Sequence, residues 1–262
     1  MTAPAGEEAA LAARLRAAGC VFAEEEARAI LGSARDVPAA VARRVAGEPL
    51  ETVLGWAELA GTRVAVGPGV FVPRRRSRLL VTLAAALLRG RDGAVVVDLC
   101  CGSGALGAAL AARLPVTLHA ADVDPRAVGW ARRNLGPVGG RVHEGDLYDA
   151  LPGELQGRVD VLLVNAPYVP TAEIPLLPAE ARVHEPRLAL DGGPDGLALH
   201  RRVAEGAPRW LAPGGTLLLE TSDRQAAATA AAVRGAGLTT RLARDAGIGA
   251  TVVRGRRTMT SR

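Results

Sequence analysis

Residues 94–104 read Ala-Val-Val-Val-Asp-Leu-Cys-Cys-Gly-Ser-Gly, and this stretch sets the fold class of the 262-residue chain. The β-branched run predicts a buried strand over 94–99. The Gly-rich stretch predicts a tight turn that leads into a helix over 105–114. A strand, a Gly-rich turn and a helix in this order are typical of a parallel sheet covered by helices.

The same alternation continues toward the C-terminus. Further strands are predicted over 117–121, 159–164 and 216–220, and helices over 125–134, 196–211 and 224–235. Residues 238–241 and 250–254 are predicted to form a terminal antiparallel strand pair. We therefore expect an α/β fold with a Rossmann-like, mainly parallel sheet and helices on both faces.

Toward the N-terminus the pattern changes to short helices over 7–46, followed by alternation around Gly61 that favours a hairpin. From these changes we expect four parts. They are an N-terminal helical domain (1–48), a hairpin and linker (49–76), the main α/β domain (77–254) and a basic tail (255–262).

The charge of the chain is concentrated in one segment. All 32 basic residues are Arg, against 27 acids, for a net charge of +5. Residues 71–90 hold five Arg and no acid, so the remainder of the chain is close to neutral. This distribution is not that of a uniformly basic nucleic-acid coat. Hydrophobic residues make up 49%, which excludes wholesale disorder.

Cysteine usage and the apolar runs indicate a cytoplasmic chain that does not contact a membrane. Two of the three Cys are neighbours, which excludes a disulfide framework and favours a reducing compartment. The four His show no metal-ligand spacing with them, and we predict no metal site. The N-terminus is acidic, and the longest apolar run, 79–88, is about half of what a bilayer requires.

The Gly-rich turn and the strand ends around it predict a nucleoside site. Gly102 and Gly104 lack a Cβ, so the backbone can approach a ligand, and 102–107 match G-x-G-x-x-G. Asp122 ends the next strand, where a carboxylate can accept hydrogen bonds from both ribose hydroxyls. Asp146 either accepts from an adenine amine or is a solvated turn residue. Nicotinamide and adenosylmethionine ligands both satisfy this pattern.

Asn165-Ala166-Pro167-Tyr168 follows directly on the buried strand 159–164. An Asn at such a strand end is costly in a purely structural role unless its amide finds a partner. Its side-chain oxygen and the carbonyl of Ala166 can accept both protons of a planar NH2 group, and Tyr168 can stack on that group. We therefore predict an acceptor site for an amino or amide nitrogen here.

Residues 98–104, Asp122, Asp146 and 165–168 together resemble the class I S-adenosylmethionine-dependent methyltransferases. Residues 185–197, Glu-Pro-Arg-Leu-Ala-Leu-Asp-Gly-Gly-Pro-Asp-Gly-Leu, are similar to the HemK/PrmC group. These are the N(5)-glutamine methyltransferases of peptide chain release factors and of a ribosomal protein. Segments 43–50, 54–56 and 71–74 also fit that group, and the likeness extends over roughly residues 43–254.

The resemblance implies that 77–254 is a methyltransferase domain that uses S-adenosyl-L-methionine. It implies cofactor contacts from Asp98, Cys100, Gly102, Gly104, Asp122, Val123, Asp146, Leu147 and Asn165. It places the acceptor amide on Asn165, Ala166, Pro167, Tyr168 and Arg74, with Asn165 and Tyr168 as the catalytic residues. The implied partner is a protein with an exposed glutamine, of the release factor or ribosomal protein class, and direct nucleic-acid contact is secondary.

Two departures from the group bear on activity. Ala166 stands where the usual Asn-Pro-Pro-Tyr has Pro, which removes a fixed φ and predicts slower catalysis. Residues 73–78 read Pro-Arg-Arg-Arg-Ser-Arg in place of the common Pro-Arg-Pro-Glu-Thr-Glu. The change leaves two interpretations, a solvated helix start or a positive surface for an acidic protein or ribosomal RNA.

Three other functions share parts of the pattern. An amino-methyltransferase of nucleic acid would use the same planar NH2 acceptor, although the near-neutral body and residues 185–197 disfavour it. A nicotinamide oxidoreductase shares only G-x-G-x-x-G. A catalytically silent docking protein of the same fold would use the N-terminal helices and the Arg cluster at 74–78.

Overall fold

A computed structural model describes residues 5–259, and it begins with a small helical unit. Helices α1 (Ala5–Ala17), α2 (Ala23–Ser33) and α3 (Val37–Val45) pack on one another through their own apolar cluster. Leu15 and Ile30 are fully buried in it. The helices expected over 7–46 are thus present and have a core separate from that of the sheet.

A short helix and a hairpin connect this unit to the sheet. Helix α4 (Leu50–Leu54) was not expected from the sequence, and it precedes β1 (Trp56–Leu59) and β2 (Thr62–Ala65). Ala60 and Gly61 both have positive φ, at 52° and 84°, which is the backbone of a tight two-residue hairpin turn.

The main sheet has seven strands in the order β5-β4-β3-β6-β7-β9-β8. The first five strands of this order, from β5 through β4, β3 and β6 to β7, pair with their neighbours in parallel. Strand β9 is antiparallel to both β7 and β8. This arrangement confirms the predicted fold class. The elements in chain order are α5 (Arg78–Leu88), β3 (Ala94–Leu99), α6 (Ala105–Ala111), β4 (Val116–Asp122), α7 (Pro125–Leu135), β5 (Arg141–Glu144), β6 (Val159–Val164), α8 (Ala179–His184), α9 (Ala198–Trp210), β7 (Leu211–Thr221), α10 (Ala226–Gly235), β8 (Thr239–Asp245) and β9 (Ala250–Arg256).

Helices cover both faces of the sheet because the central strands are apolar on both sides. Val96 and Leu163 belong to one core cluster, together with residues of α5, α6 and α7. Val97 and Leu162 belong to a second cluster with residues of α9 and α10. Consecutive strand residues point to opposite faces, so each strand contributes to both cores.

Several boundaries differ from the expected ones. Strand β7 begins at Leu211, because residues 213–215 continue the strand instead of closing the preceding helix. Gly214 N–H donates to the carbonyl of Arg257, which extends the pairing. Strand β9 ends at Arg256, inside the segment expected as a tail, and residues 260–262 of that tail lie outside the described part.

The strand order determines at which edge of the sheet a ligand site can form. Strand β3 has β4 on one side and β6 on the other, so successive connections leave it in opposite directions. Such a switch point leaves a crevice outside the carboxyl ends of the strands. Across residues 5–259, no helix has both the length and the apolar character needed to cross a membrane.

Candidate active site

A cavity of about 630 Å³ opens at this carboxyl edge, within the size range of small-molecule sites. Its walls come from the turns after β3, β4, β5 and β6, from the segment before α5 and from residues 177–190. The fold brings most of the predicted site residues onto these walls. They are Arg74, Cys100, Gly102, Asp122, Val123, Asp146, Leu147, Asn165, Ala166, Pro167 and Tyr168. Asp98 and Gly104 do not line the cavity.

The turn after β3 has left-handed backbone at Cys100, Gly102 and Gly104, with φ of 55°, 54° and 76°. A Cβ added at Gly102 would meet nothing within 4 Å, which leaves that part of the wall open to a ligand. A Cβ at Gly104 would lie 3.0 Å from the Leu135 side chain of α7. This packing gives a second reason for a glycine at 104, and the predicted contact of its backbone with a ligand stays a prediction. Its missing Cβ allows α7 to pack close to the turn.

Asp98 lies beneath this turn and is fully buried. Its Oδ2 accepts a hydrogen bond from Gly107 N–H at 3.0 Å, and its Oδ1 has no partner in the described part of the chain. Burial raises the pKa of Asp98 to about 8. A cation bound above the turn would favour the ionised form of this carboxyl, so Asp98 is placed to act on such a ligand through its charge.

Asp122 connects two of the turns. Its Oδ2 accepts from Gly102 N–H at 2.8 Å and its Oδ1 accepts from Asp124 N–H at 3.0 Å. Each carboxylate oxygen retains a second lone pair that can face the cavity. Asp124 itself accepts from Arg126 N–H and so caps the start of α7.

Asp146 is paired with Arg202 of α9, with Oδ2 and Nη2 at a distance of 2.8 Å. Both side chains are about half exposed, and an ion pair of this kind contributes at most about 1 kcal/mol. Such a weak pair leaves Asp146 able to accept from a ligand as well. Arg202 also lines the cavity, and no feature of the sequence pointed to it.

Asn165 lies immediately beyond β6. Its Nδ2 donates to Ser77 Oγ at 3.3 Å, while no described hydrogen bond reaches Asn165 Oδ1 or the carbonyl of Ala166. Both residues line the cavity. Two neighbouring oxygen acceptors therefore remain available to a ligand.

Tyr168 is held at both of its polar groups. Its hydroxyl accepts from Arg76 Nη2 at 2.7 Å, and its carbonyl accepts from Gln225 Nε2 at 2.8 Å. Arg76 Nε in turn donates to Glu220 Oε1 at 3.1 Å. Burial raises the pKa of the Tyr168 phenol, so the group is neutral at physiological pH.

The basic cluster at 74–78 is largely neutralised. Arg74 Nη2 lies 2.6 Å from Glu185 Oε2, Arg76 pairs with Glu220, and the side chains of both glutamates are 1% exposed. Neither of the two open interpretations, a solvated helix start or a positive surface, describes Arg74 and Arg76, because each is paired with a buried glutamate. Their acidic partners lie 111 and 144 residues away, and only the fold brings them close.

The two halves of the cavity offer different chemistry. One half has the carboxyl groups of Asp122 and Asp146 on its wall and the buried Asp98 beneath its Gly-rich turn, which suits a nucleoside that carries positive charge. The other half has paired oxygen acceptors for a planar NH2 group. Among the described residues, no cluster of three or more His, Cys, Asp and Glu has the arrangement of a metal site.

Comparisons with known proteins place the chain among methyltransferases. The family model described as methyltransferase small domain matches residues 62–193, about half of the chain. A release factor glutamine methyltransferase of Streptomyces coelicolor is 43% identical over 190 residues, which are 71% of this chain and 66% of that protein. The chain thus spans slightly less than two thirds of the length of that relative.

Two further relatives are covered more completely. A release factor glutamine methyltransferase of Bordetella pertussis is 40% identical over 75% of this chain and 73% of its own length. A 4-amino-L-phenylalanine/4-methylamino-L-phenylalanine methyltransferase of Streptomyces pristinaespiralis is 38% identical over 75% of this chain and 69% of its own. These relatives share a methyl-transfer activity and differ in the acceptor that their names state.

Proposed function

The chain belongs to the HemK/PrmC-type family of protein N(5)-glutamine methyltransferases, and from this membership we propose that it methylates a glutamine side chain. The methyl donor is S-adenosyl-L-methionine, and the acceptor is the amide nitrogen of a glutamine in a peptide chain release factor. The supporting observation is the pair of unused acceptors, Asn165 Oδ1 and the carbonyl of Ala166, on the cavity wall. Translation takes place in the cytoplasm, which is the location we propose.

The cofactor half of the cavity fits this donor. The residues suited to hold it are Asp122 at the ribose hydroxyls, Asp146 at the adenine amine and the open turn at Gly102. The unpartnered Oδ1 of Asp98 lies beneath the turn, and a sulfonium cation bound above it would favour the ionised form of this carboxyl and be stabilised by its charge. When bound, S-adenosyl-L-methionine supplies a methyl group activated by the positive sulfur.

The acceptor half orients the nucleophile. Asn165 Oδ1 and Ala166 O accept the two protons of the glutamine NH2, which increases electron density at nitrogen and holds its lone pair toward the methyl group. With the donor bound, these two acceptors would hold the nitrogen in line with the methyl group that the donor supplies, and the extra N–H proton of the methylated amide would pass to water. The reaction depends mainly on alignment, because the sulfur leaves as a neutral thioether.

A free aromatic amino acid is the second candidate acceptor, since the relative from Streptomyces pristinaespiralis is named for one. Its amine is also a planar donor, but its carboxylate requires a cation. The three arginines on the described cavity wall, Arg74, Arg76 and Arg202, each have an acidic partner. This balance of charge favours the neutral side chain of a glutamine.

Transfer of radioactive methyl groups tests the proposal. The full chain is incubated with tritiated S-adenosyl-L-methionine and, in parallel, with unmethylated release factor, ribosomal protein, ribosomal RNA or 4-amino-L-phenylalanine. We expect label on one glutamine of the release factor, located by mass spectrometry, and none with Asn165→Ala. Label only on RNA or on the amino acid would contradict the proposal.

A further inference from the structure

Behind the acceptor wall lies a buried carboxylate that the proposed reaction does not use directly. Glu220 is the tenth residue of β7, and the register pairs Val164 of β6 with Leu219. Glu220 and Asn165 are therefore neighbours at the ends of adjacent strands. The Glu220 side chain is 1% exposed, and its Oε2 has no hydrogen-bond partner in the described structure.

Ser77 lies between these two residues. Its Oγ accepts from Asn165 Nδ2 at 3.3 Å, so the single proton of the hydroxyl is free to point elsewhere. The acceptor that the structure leaves for this proton is the unpartnered Oε2 of Glu220, at the end of the adjacent strand. The pairing with Arg76 favours the ionised form of Glu220, which only accepts, so a hydrogen bond from Ser77 to Glu220 would give the chain from Asn165 through Ser77 to Glu220 one direction.

That direction determines which atom of Asn165 faces the cavity. A carboxamide has a donor end and an acceptor end, and its hydrogen bonds decide between the two orientations. With Ser77 acting as acceptor, Nδ2 faces Ser77 and Oδ1 is left for the substrate. In the opposite orientation, an NH2 group would face the NH2 of the glutamine, and the acceptor site would be lost.

A second branch connects Glu220 to Tyr168. Arg76 Nε donates to Glu220 Oε1 at 3.1 Å, and Arg76 Nη2 donates to the Tyr168 hydroxyl at 2.7 Å. Guanidinium has only donors, so the Tyr168 oxygen must accept and its own proton points away from Arg76. Glu220 thus holds Tyr168 through Arg76, and a bond from Ser77 would connect it to Asn165 as well.

We infer that Glu220 is a positioning residue, which fixes Asn165 through Ser77 and Tyr168 through Arg76 in the orientations that accept and hold the glutamine amide. This inference rests on the proposed function. Glu220 does not touch the substrate, and its effect is transmitted by hydrogen-bond direction alone.

The decisive variant is Glu220→Gln, which keeps the volume and reverses the direction of one hydrogen bond. The Gln amide can donate to Ser77, so the Ser77 hydroxyl then donates to Asn165 and turns its carboxamide around. We expect kcat with release factor to fall by about 100-fold, comparable to the loss of one oriented hydrogen-bond group in an active site. The dissociation constant for S-adenosyl-L-methionine, from calorimetry, should stay within about twofold.

Ser77→Ala interrupts the chain and should lower kcat less, by about tenfold, because Asn165 is then free to take either orientation. In the double variant, the reversed bond no longer reaches Asn165, so Ser77→Ala/Glu220→Gln should be at least as active as Glu220→Gln alone. Losses that multiply in the double variant would contradict the link through Ser77. The control is Glu154→Gln, at an exposed position outside the cavity lining, which should leave kcat unchanged.

A second readout does not depend on the acceptor. In the ¹⁵N-labelled protein, the side-chain NH2 signal of Asn165, assigned by its loss in Asn165→Asp, should show proximity to the Ser77 β protons. Glu220→Gln should remove that proximity, and if this variant does not fold, a shift of the same signal in Ser77→Ala serves instead. An unchanged signal in the variants overturns the inference, whereas absence of transfer by the wild type overturns only the proposed function.

Discussion

The two halves of the cavity are built in different ways. In the cofactor half, Asp122 accepts from backbone N–H groups of turns that directly follow two neighbouring strands. In the acceptor half, Asn165, Tyr168 and Glu220 are held by Ser77 and Arg76, which are 88 to 144 residues distant. The first half is a backbone cradle and the second is a side-chain network. Substitutions in the first should therefore change affinity, and substitutions in the second should change turnover.

The largest expected effect is at Asn165. Asn165→Ala removes one of the two acceptors for the amide, and we expect kcat with release factor to fall by about 10³-fold. Calorimetry should show donor affinity within about twofold of wild type, because the cradle is untouched. Equal losses of kcat and of donor affinity would contradict the assignment of turnover to the acceptor half and affinity to the cofactor half.

A substitution of Asp122 tests the cofactor half, where we expect donor affinity to change and turnover to be retained. Asp122→Asn exchanges a carboxylate that accepts two backbone bonds for a carboxamide with only one acceptor oxygen, so one turn loses its anchor. We expect the dissociation constant for S-adenosyl-L-methionine to rise by about 30-fold, while kcat at saturating donor changes by less than about threefold. Asp149→Asn, at an exposed position, is the control and should match wild type.

The buried carboxyl of Asp98, in the cofactor half, predicts that the free energy of unfolding depends on pH. Its folded-state pKa of about 8 lies above the usual value of 3.8, so the folded protein holds this proton more tightly. Its contribution to stability is therefore fully present at low pH and decreases as pH rises toward 8, by up to about 1.4 kcal/mol per pH unit. Urea unfolding at several pH values should show a flatter profile for Asp98→Asn than for the wild type. Parallel profiles would show that Asp98 is ionised throughout.

The smallest expected effect on turnover is in the acceptor half, at Ala166. Ala166→Pro restores the fixed φ that the sequence lacks, and no described hydrogen bond uses Ala166 N–H. Preorganisation worth about 0.4–1 kcal/mol corresponds to an increase in turnover of about two- to fivefold. Steady-state kinetics measures the change. An unchanged rate would show that the network already fixes the backbone at Ala166.

The sequence predicted the elements whose signal is local. Strands 94–99 and 159–164 were predicted at the bounds that the structure shows, because a buried strand between turn residues has a compact pattern. Helix α8 was missed, since six residues are too few to show helical periodicity. Arg76 was seen only as one member of a charged cluster, and Glu220 only as the end of a strand.

By itself, the sequence determined the parallel sheet, the edge at which the site lies and the residues whose turns form the cavity. Those features depend on periodicity and turn chemistry within a few neighbouring positions. Only the tertiary structure decided that Arg74 and Arg76 are paired with buried carboxylates, that Gly104 makes room for α7, and that Glu220 stands behind Asn165. Charge pairing and hydrogen-bond direction depend on which distant residues become neighbours, and that information is absent from any local pattern.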